Sequence, residues 1–193
     1  MKALKWALLV FGFLGFGFDE AEAASFAYLT NAADCGVAVV DTAAKKLVST
    51  ISLDGFCSKD VAVSPDGKRV YVTAHRRENG IAEHALKIID AAKNAVIRTI
   101  LLWQEPCDTL GCAVGNEAAV LSALGVTLTL NKVWVGHMAF NNTGDLVEID
   151  VHMVELVGDE AAKIEKIPLI HGDFFPGGLA SSPNGSRVYV AAT

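Results

Sequence analysis

Five histidines and four cysteines are the side chains of this chain best equipped for chemistry. His75-Arg76-Arg77 is the densest basic cluster, an imidazole beside two guanidinium forks. Such forks grip a carboxylate or another anion through paired N–H donors. His171 and Asp173 stand two residues apart. His137 is followed by Met138, an imidazole and a thioether that haem iron accepts, but no Cys-x-x-Cys-His exists for covalent haem. His75, His137 and His171 would make a metal set if one surface collected them. His84 and His152 have no evident partner in the sequence. Neither Gly-x-Ser-x-Gly nor His-Glu-x-x-His occurs, and no Gly-Lys-Ser/Thr follows Gly111 to Gly115 to make a phosphate loop. These residues assign no catalytic group, no metal ligand and no cofactor, and the weight falls on binding.

The elements that carry them begin with an address. Lys2 and Lys5 form a basic head, Trp6 to Phe18 is an unbroken apolar run, and Asp19 and Glu20 end it. Ala21-Glu22-Ala23 places small residues at the −3 and −1 positions of a cleavage site. This is the three-part pattern of a secretory signal peptide over residues 1–23, too short for a comfortable membrane span. The reading predicts export to the periplasm, the cell surface or the extracellular space. There the environment is oxidising and cysteines pair. The 193 residues are 52% hydrophobic and 20% charged with a net charge of −6, which excludes a disordered tail and argues against a nucleic-acid partner.

The rest of the chain repeats itself. Val61-Ala-Val-Ser-Pro-Asp-Gly-Lys-Arg-Val-Tyr-Val-Thr73 returns as Leu179-Ala-Ser-Ser-Pro-Asn-Gly-Ser-Arg-Val-Tyr-Val-Ala191. Gly125 to Val135 is a degraded copy and Phe26 to Asn31 half a copy. A second segment ends in Asp each time: Gly36–Asp41, Ala85–Asp90 and Asp145–Asp150. A third follows at Leu47–Leu53, Val96–Leu102 and Lys163–Leu169. All are short and β-branched, as strands are. Ser64-Pro65-Asp66-Gly67 and Ser182-Pro183-Asn184-Gly185 are turn sequences. Proline presets φ, and glycine accepts the left-handed conformation that ends the turn. Four antiparallel strands every ~45–60 residues is the period of a β-propeller blade.

Ser64-Pro-Asp-Gly-Lys-Arg-Val-Tyr-Val-Thr73, with Leu86-Lys-Ile-Ile-Asp90 and Val96-Ile-Arg-Thr-Ile100, resembles the YVTN β-propeller repeat. Tyr71-Val-Thr-Ala74 is the strand from which that family is named, and Tyr28-Leu-Thr-Asn31 is a looser version. The resemblance covers nearly all of residues 24–193 and implies an all-β fold of four-stranded blades. It divides the chain into blade one at 24–58, blade two at 59–102, an insertion at 103–123, blade three at 124–172 and the start of blade four at 173–193. Asn116 to Leu124 reads as a short helix within the insertion. About three blades are present, whereas propellers close with at least about four and this family resembles rings of about seven. Three expectations follow: the front part of a longer propeller, a chain that self-associates to close its ring, or a small closed variant.

Alternating strand direction sorts the loops onto two faces. The Ser-Pro-Asp-Gly hairpins fall on one. The other collects Asp34, Cys35, His75, Arg76, Arg77, Glu78, Asn79, His84 and His137 from the loops between second and third strands. Connections between blades add Cys57, Lys59, Asp60, Trp103, Glu105, Cys107, Cys112, His171, Asp173, Phe174 and Phe175. His75, Arg76, Arg77, His137, His171 and Asp173 are the binding candidates on that face. Cys35–Cys57 and Cys107–Cys112 are the economical disulfides of three connectivities, and a zinc site from the second pair with a histidine is the weaker alternative. The first functional reading is an exported, non-catalytic propeller that binds a protein or small molecule there. The resemblance also implies an alternative: a lactonase-like hydrolase or a quinone- or haem-linked dehydrogenase partner, with a metal or cofactor on the axis.

Overall fold

The computed structural model describes residues 25–31, 34–106, 122–129, 131–140, 146–169 and 176–192. Residues 1–24, which include the expected signal sequence, residues 107–121, and His171 to Phe175 lie outside the described residues. Thirteen strands make up the described fold: β1 Phe26–Asn31, β2 Gly36–Asp41, β3 Lys46–Ser52, β4 Cys57–Val63, β5 Arg69–Glu78, β6 Ile81–Asp90 and β7 Ala95–Pro106, then β8 Ser122–Thr129, β9 Lys132–Phe140, β10 Leu146–Val157, β11 Glu160–Pro168, β12 Pro176–Ser181 and β13 Val188–Ala192. Among the described residues no helix is long and apolar enough to cross a membrane.

The strands pair only with their neighbours in sequence, antiparallel throughout, as four sheets: β1-β2-β3, β4-β5-β6-β7, β8-β9-β10-β11 and β12-β13. Each new sheet starts from its inner strand, and β4, β8 and β12 lie against one another in turn, with β1 beside β4. The chain is all-β, built as successive blades of a β-propeller. The sequence expectation of four-stranded antiparallel units is borne out.

The turns show why these residues stop strands where they do. Gly67 donates its N–H to the Ser64 carbonyl at 2.9 Å, and Gly185 does the same to Ser182 at 2.8 Å. Both glycines have φ near +67°, at 69° and 66°. The Ser64 hydroxyl donates to Asp66 at 2.7 Å and the Ser182 hydroxyl to Asn184 at 2.8 Å, so Asp and Asn serve one turn interchangeably. Asp41 accepts the N–H of Ala44, and Asp90 those of Ala92 and Lys93, ending β2 and β6.

Three sequence expectations are corrected. The segment from His75 to His84 is not a loop: β5 and β6 continue as paired strands to a two-residue turn at Asn79-Gly80, with Arg76 opposite Glu83 and Glu78 opposite Ile81. Trp103 belongs to strand β7, and Ser122 to Leu124 belong to strand β8 rather than to a helix. Asp150 does not end its strand as Asp41 and Asp90 do. β10 runs seven residues further, to Val157, and turns at Gly158-Asp159.

Alternation along β5 and β6 splits the core in two. Val70, Val72, Ala74, Ala85 and Ile89 meet Val37, Val39, Ile51, Leu53 and Phe56 of the first blade. Tyr71, Leu86, Ile88 and Ile100 meet Val133, Val135, Val154 and Leu156 of the third. The middle blade is therefore apolar on both faces and reads as near-continuous hydrophobic runs. The two seams so formed position everything that follows.

Candidate functional site

The seam between the second and third blades changes character along its length. Near the Ser64–Gly67 turn it is aliphatic. Toward the Asn79-Gly80 turn the same faces carry His75, His84, Trp103, His137, Asp150 and His152. Register accounts for the gathering. His75 stands opposite His84, and His84 opposite Trp103, across β5, β6 and β7. His137 stands opposite Asp150 across β9 and β10. Asp150 and His152 are two residues apart on one strand and share a face.

The rings form a continuous ladder across the seam. The centroids of His75 and His84 are 6.2 Å apart, and those of His84 and Trp103 4.7 Å with nearly parallel planes. Trp103 then meets His152 at 4.5 Å and the edge of His137 at 4.7 Å. Behind the rings lies Asp150, fully buried. Its Oδ2 is 2.7 Å from His137 Nδ1 and 3.2 Å from Lys166 Nζ, and its Oδ1 is 3.0 Å from His152 Nε2. Burial alone would raise the Asp150 carboxyl. The hydrogen bond from His137 and the close approach of His137 and His152 outweigh it and hold the group well below the usual carboxylate range.

His75 is the opposite case. Burial pushes its pKa down to about 4, and Lys59, His84 and Arg77 reinforce the shift against one opposing hydrogen bond at Cys57. It is neutral in the folded protein at neutral pH. Its Nδ1, the Trp103 Nε1, the far nitrogen Nε2 of His137 and the far nitrogen Nδ1 of His152 are buried without a hydrogen-bond partner. Lys59, Thr73, His75, His84, Leu102 and Trp103 line a narrow cleft here.

The sequence-derived candidates divide as follows. His75 and His137 belong to the ladder. Arg76 is committed elsewhere: Glu83 takes its Nε, Glu78 lies 3.2 Å from its Nη1, and its guanidinium covers the Phe56 ring at 4.6 Å. Arg77 follows it on β5 and alternates to the face that carries His75. His171 and Asp173 lie outside the described residues, as do Cys107 and Cys112. Cys35 and Cys57 form a disulfide. This is consistent with an oxidising compartment. Sequence reasoning missed Asp150 and His152 as a pair. The signal was present in Glu148, Asp150 and His152, polar at every second position of an otherwise apolar run. Reading Asp150 as a third copy of Asp41 and Asp90 hid it.

A larger cleft of about 510 Å³ opens at the opposite end, lined by Phe26, Tyr28, Gly67, Lys68, Arg69 and Asp90 among others. Its walls are turn and strand-end residues that also hold the blades together. Arg69 makes a two-pronged contact with Asp159 of the third blade at 2.8 and 3.0 Å.

No protein-family model matches this sequence, and no curated protein does. Among solved structures the chain is similar to the hydrazine synthase of Kuenenia stuttgartiensis at 19% identity and a TM-score of 0.41, covering 86% of this chain and 58% of that one. It is also similar to a thermostable family-43 glycoside hydrolase at 16% identity and a TM-score of 0.47, covering 81% of this chain and 56% of that one. The chain thus spans little more than half the length of either.

Proposed function

We propose that this is an exported YVTN-type propeller-repeat protein that acts as a binding module, taking a carboxylate-bearing ligand or an acidic protein segment at the end of the second and third blades nearest the Asn79-Gly80 turn. The observation that carries the reading is the rim of the ring ladder, where a crevice of only about 10 Å³ leaves room for a single ligand oxygen or water. Lys59 lines it together with His75 and Trp103, and the Trp103 Nε1–H is buried without a partner. A buried donor left unsatisfied is costly, and a ligand oxygen reaching it would relieve that cost. Arg77 adds positive charge at the same end. The Cys35–Cys57 disulfide supports export. A second reading, a propeller enzyme with a metal, draws on the grouping of His137, Asp150 and His152. Those residues sit between blades on middle strands rather than on the axial strands β4, β8 and β12.

Photo-crosslinking residues placed at position 77 and, separately, at position 66 on the opposite end of the full chain test the binding reading in secreting cells. Capture at 77 alone is expected. Capture at both positions equally, at 66 alone, or at neither overturns it. Mass spectrometry of the secreted product should show Ala24 as the first residue.

A further inference from the structure

We propose that His137, Asp150 and His152 form a binding site for a divalent d-block metal ion, with Zn²⁺ the best chemical match. The inference does not depend on the carboxylate-binding reading, since it concerns the far side of Trp103 from the Lys59 cleft.

The donor set comes first. One ligand atom from each of the three residues lies within 4.8 Å of the other two, and all three residues are buried. Two imidazoles and one carboxylate suit zinc, cobalt, nickel and iron rather than calcium or magnesium, which prefer all-oxygen sites. Donors around a tetrahedral ion with bonds of ~2.1 Å stand about 3.4 Å apart. Asp150 Oδ2 is 2.7 Å from His137 Nδ1 and its Oδ1 is 3.0 Å from His152 Nε2, so each of these two contacts would open by about half an ångström for an ion, with the third pair of ligand atoms no more than 4.8 Å apart.

The second observation concerns protons. His137 and His152 are more than nine-tenths buried, and each presents one nitrogen to Asp150 while its other nitrogen has no partner. A cation in place of the two facing protons lets each imidazole carry its proton on the far nitrogen. Asp150 then bonds the ion directly. Three protein ligands leave a fourth position for water or an added ligand.

The third observation is a competitor. Lys166 Nζ lies 3.2 Å from Asp150 Oδ2, and its side chain is about half exposed, at 46%. The carboxylate therefore already attracts a cation, one whose long stem can withdraw into solvent. The metal takes over that charge, and Lys166 sets how tightly it binds.

Trp103 supplies the readout. Its ring is 4.5 Å from His152 and 4.7 Å from His137. Trp134 alternates to the other face of β9, where its Nε1 donates to Thr129 at 2.7 Å. The metal-free full chain is titrated with Co²⁺ and then with Zn²⁺. Tryptophan emission, visible d–d absorption and circular dichroism are followed together. The expected result is one equivalent of Co²⁺, tetrahedral-type absorption, quenching that Trp103→Phe largely removes, and displacement by Zn²⁺. Asp150→Asn and His152→Gln should each weaken binding by tenfold or more. Lys166→Met leaves the ligands intact and should tighten it several-fold, which guards against a mere folding effect in the other two. Absence of absorption bands from the folded wild-type protein at millimolar Co²⁺ overturns the proposal. So does binding that Lys166→Met leaves unchanged while Asp150→Asn and His152→Gln retain it.

Discussion

The two seams of the middle blade are built from one repeat and closed in different ways. The first, between blades one and two, is aliphatic nearly to its end, and there the Cys35–Cys57 bond locks it covalently. Among the described residues its buried charge is Lys87, 1% exposed. The ammonium sits over the Phe56 ring at 4.1 Å and reaches Asp54 at 3.8 Å. Burial lowers its pKa, and Asp54 only partly opposes this. The second seam has an aliphatic half of the same kind, but its end is filled by imidazoles, an indole and a carboxylate. A covalent closure needs nothing from outside. A closure made of buried polar groups is stable only when each group is satisfied, and several nitrogens here are not. The first seam is built for permanence, and the second holds the polar groups that a ligand or ion can use.

The largest effects should come from the shared aliphatic part. Leu53 and Leu86 are fully buried, one in each seam. Leu53→Ala and Leu86→Ala should each cost about 2–5 kcal/mol in denaturant unfolding. The double variant should add to within about 0.5 kcal/mol, because the two residues belong to separate core clusters. Strong non-additivity would show that the two behave as one core.

Next is the disulfide. Replacing Cys35 and Cys57 together by serine should cost about 3 kcal/mol, the entropy of a loop whose ends are 22 residues apart. Reduction by thiol should destabilise the first seam while leaving the Trp103 emission of the folded protein unchanged. A thiol-induced change in that emission would couple the seams.

Acid should act on the second seam. His75 titrates near 6.5 when unfolded and at about 4 when folded. Between those values the unfolded chain binds the extra proton, so stability is intact above about pH 6.5 and falls as pH drops toward 4. The slope from this group is at most about 1.4 kcal/mol per pH unit. His75→Phe should flatten that window in unfolding curves taken at pH 7, 5.5 and 4.5. Asp150, held below the ordinary carboxylate range, has a stabilising contribution that is lost only at more acid pH than this window.

The smallest effect belongs to the rim. Asp159→Ala removes the two-pronged contact with Arg69 across the second seam. Both side chains are about 30% exposed, so the cost should be no more than about 1 kcal/mol and should shrink as salt is raised.

Much of the architecture was legible in the sequence. Ser64-Pro-Asp-Gly67 and Ser182-Pro-Asn-Gly185 place their turns by local chemistry alone, and the β-branched runs between them become strands. The Cys35–Cys57 pair was legible too, because strand direction puts both residues on one face beside the first blade. The third blade was misread where the repeat weakens. A Leu-Val-Glu-Ile-Asp segment looks like Leu-Lys-Ile-Ile-Asp, yet it belongs seven residues earlier in its strand. Local resemblance cannot detect such a shift, because hairpin register is settled by the whole pairing partner.

By itself, the amino-acid order determined what depends on near neighbours: the turns, the strand segments, the four-strand period and the export-type leader pattern. Tertiary structure alone decided the site. His75, His84, Trp103, His137, Asp150 and His152 come from five strands of two blades, and no spacing along the chain relates Trp103 to His152. Only the packing of one sheet face on another brings them within 5 Å. That packing is driven by aliphatic residues elsewhere in the seam, which are indifferent to the chemistry they assemble at its end.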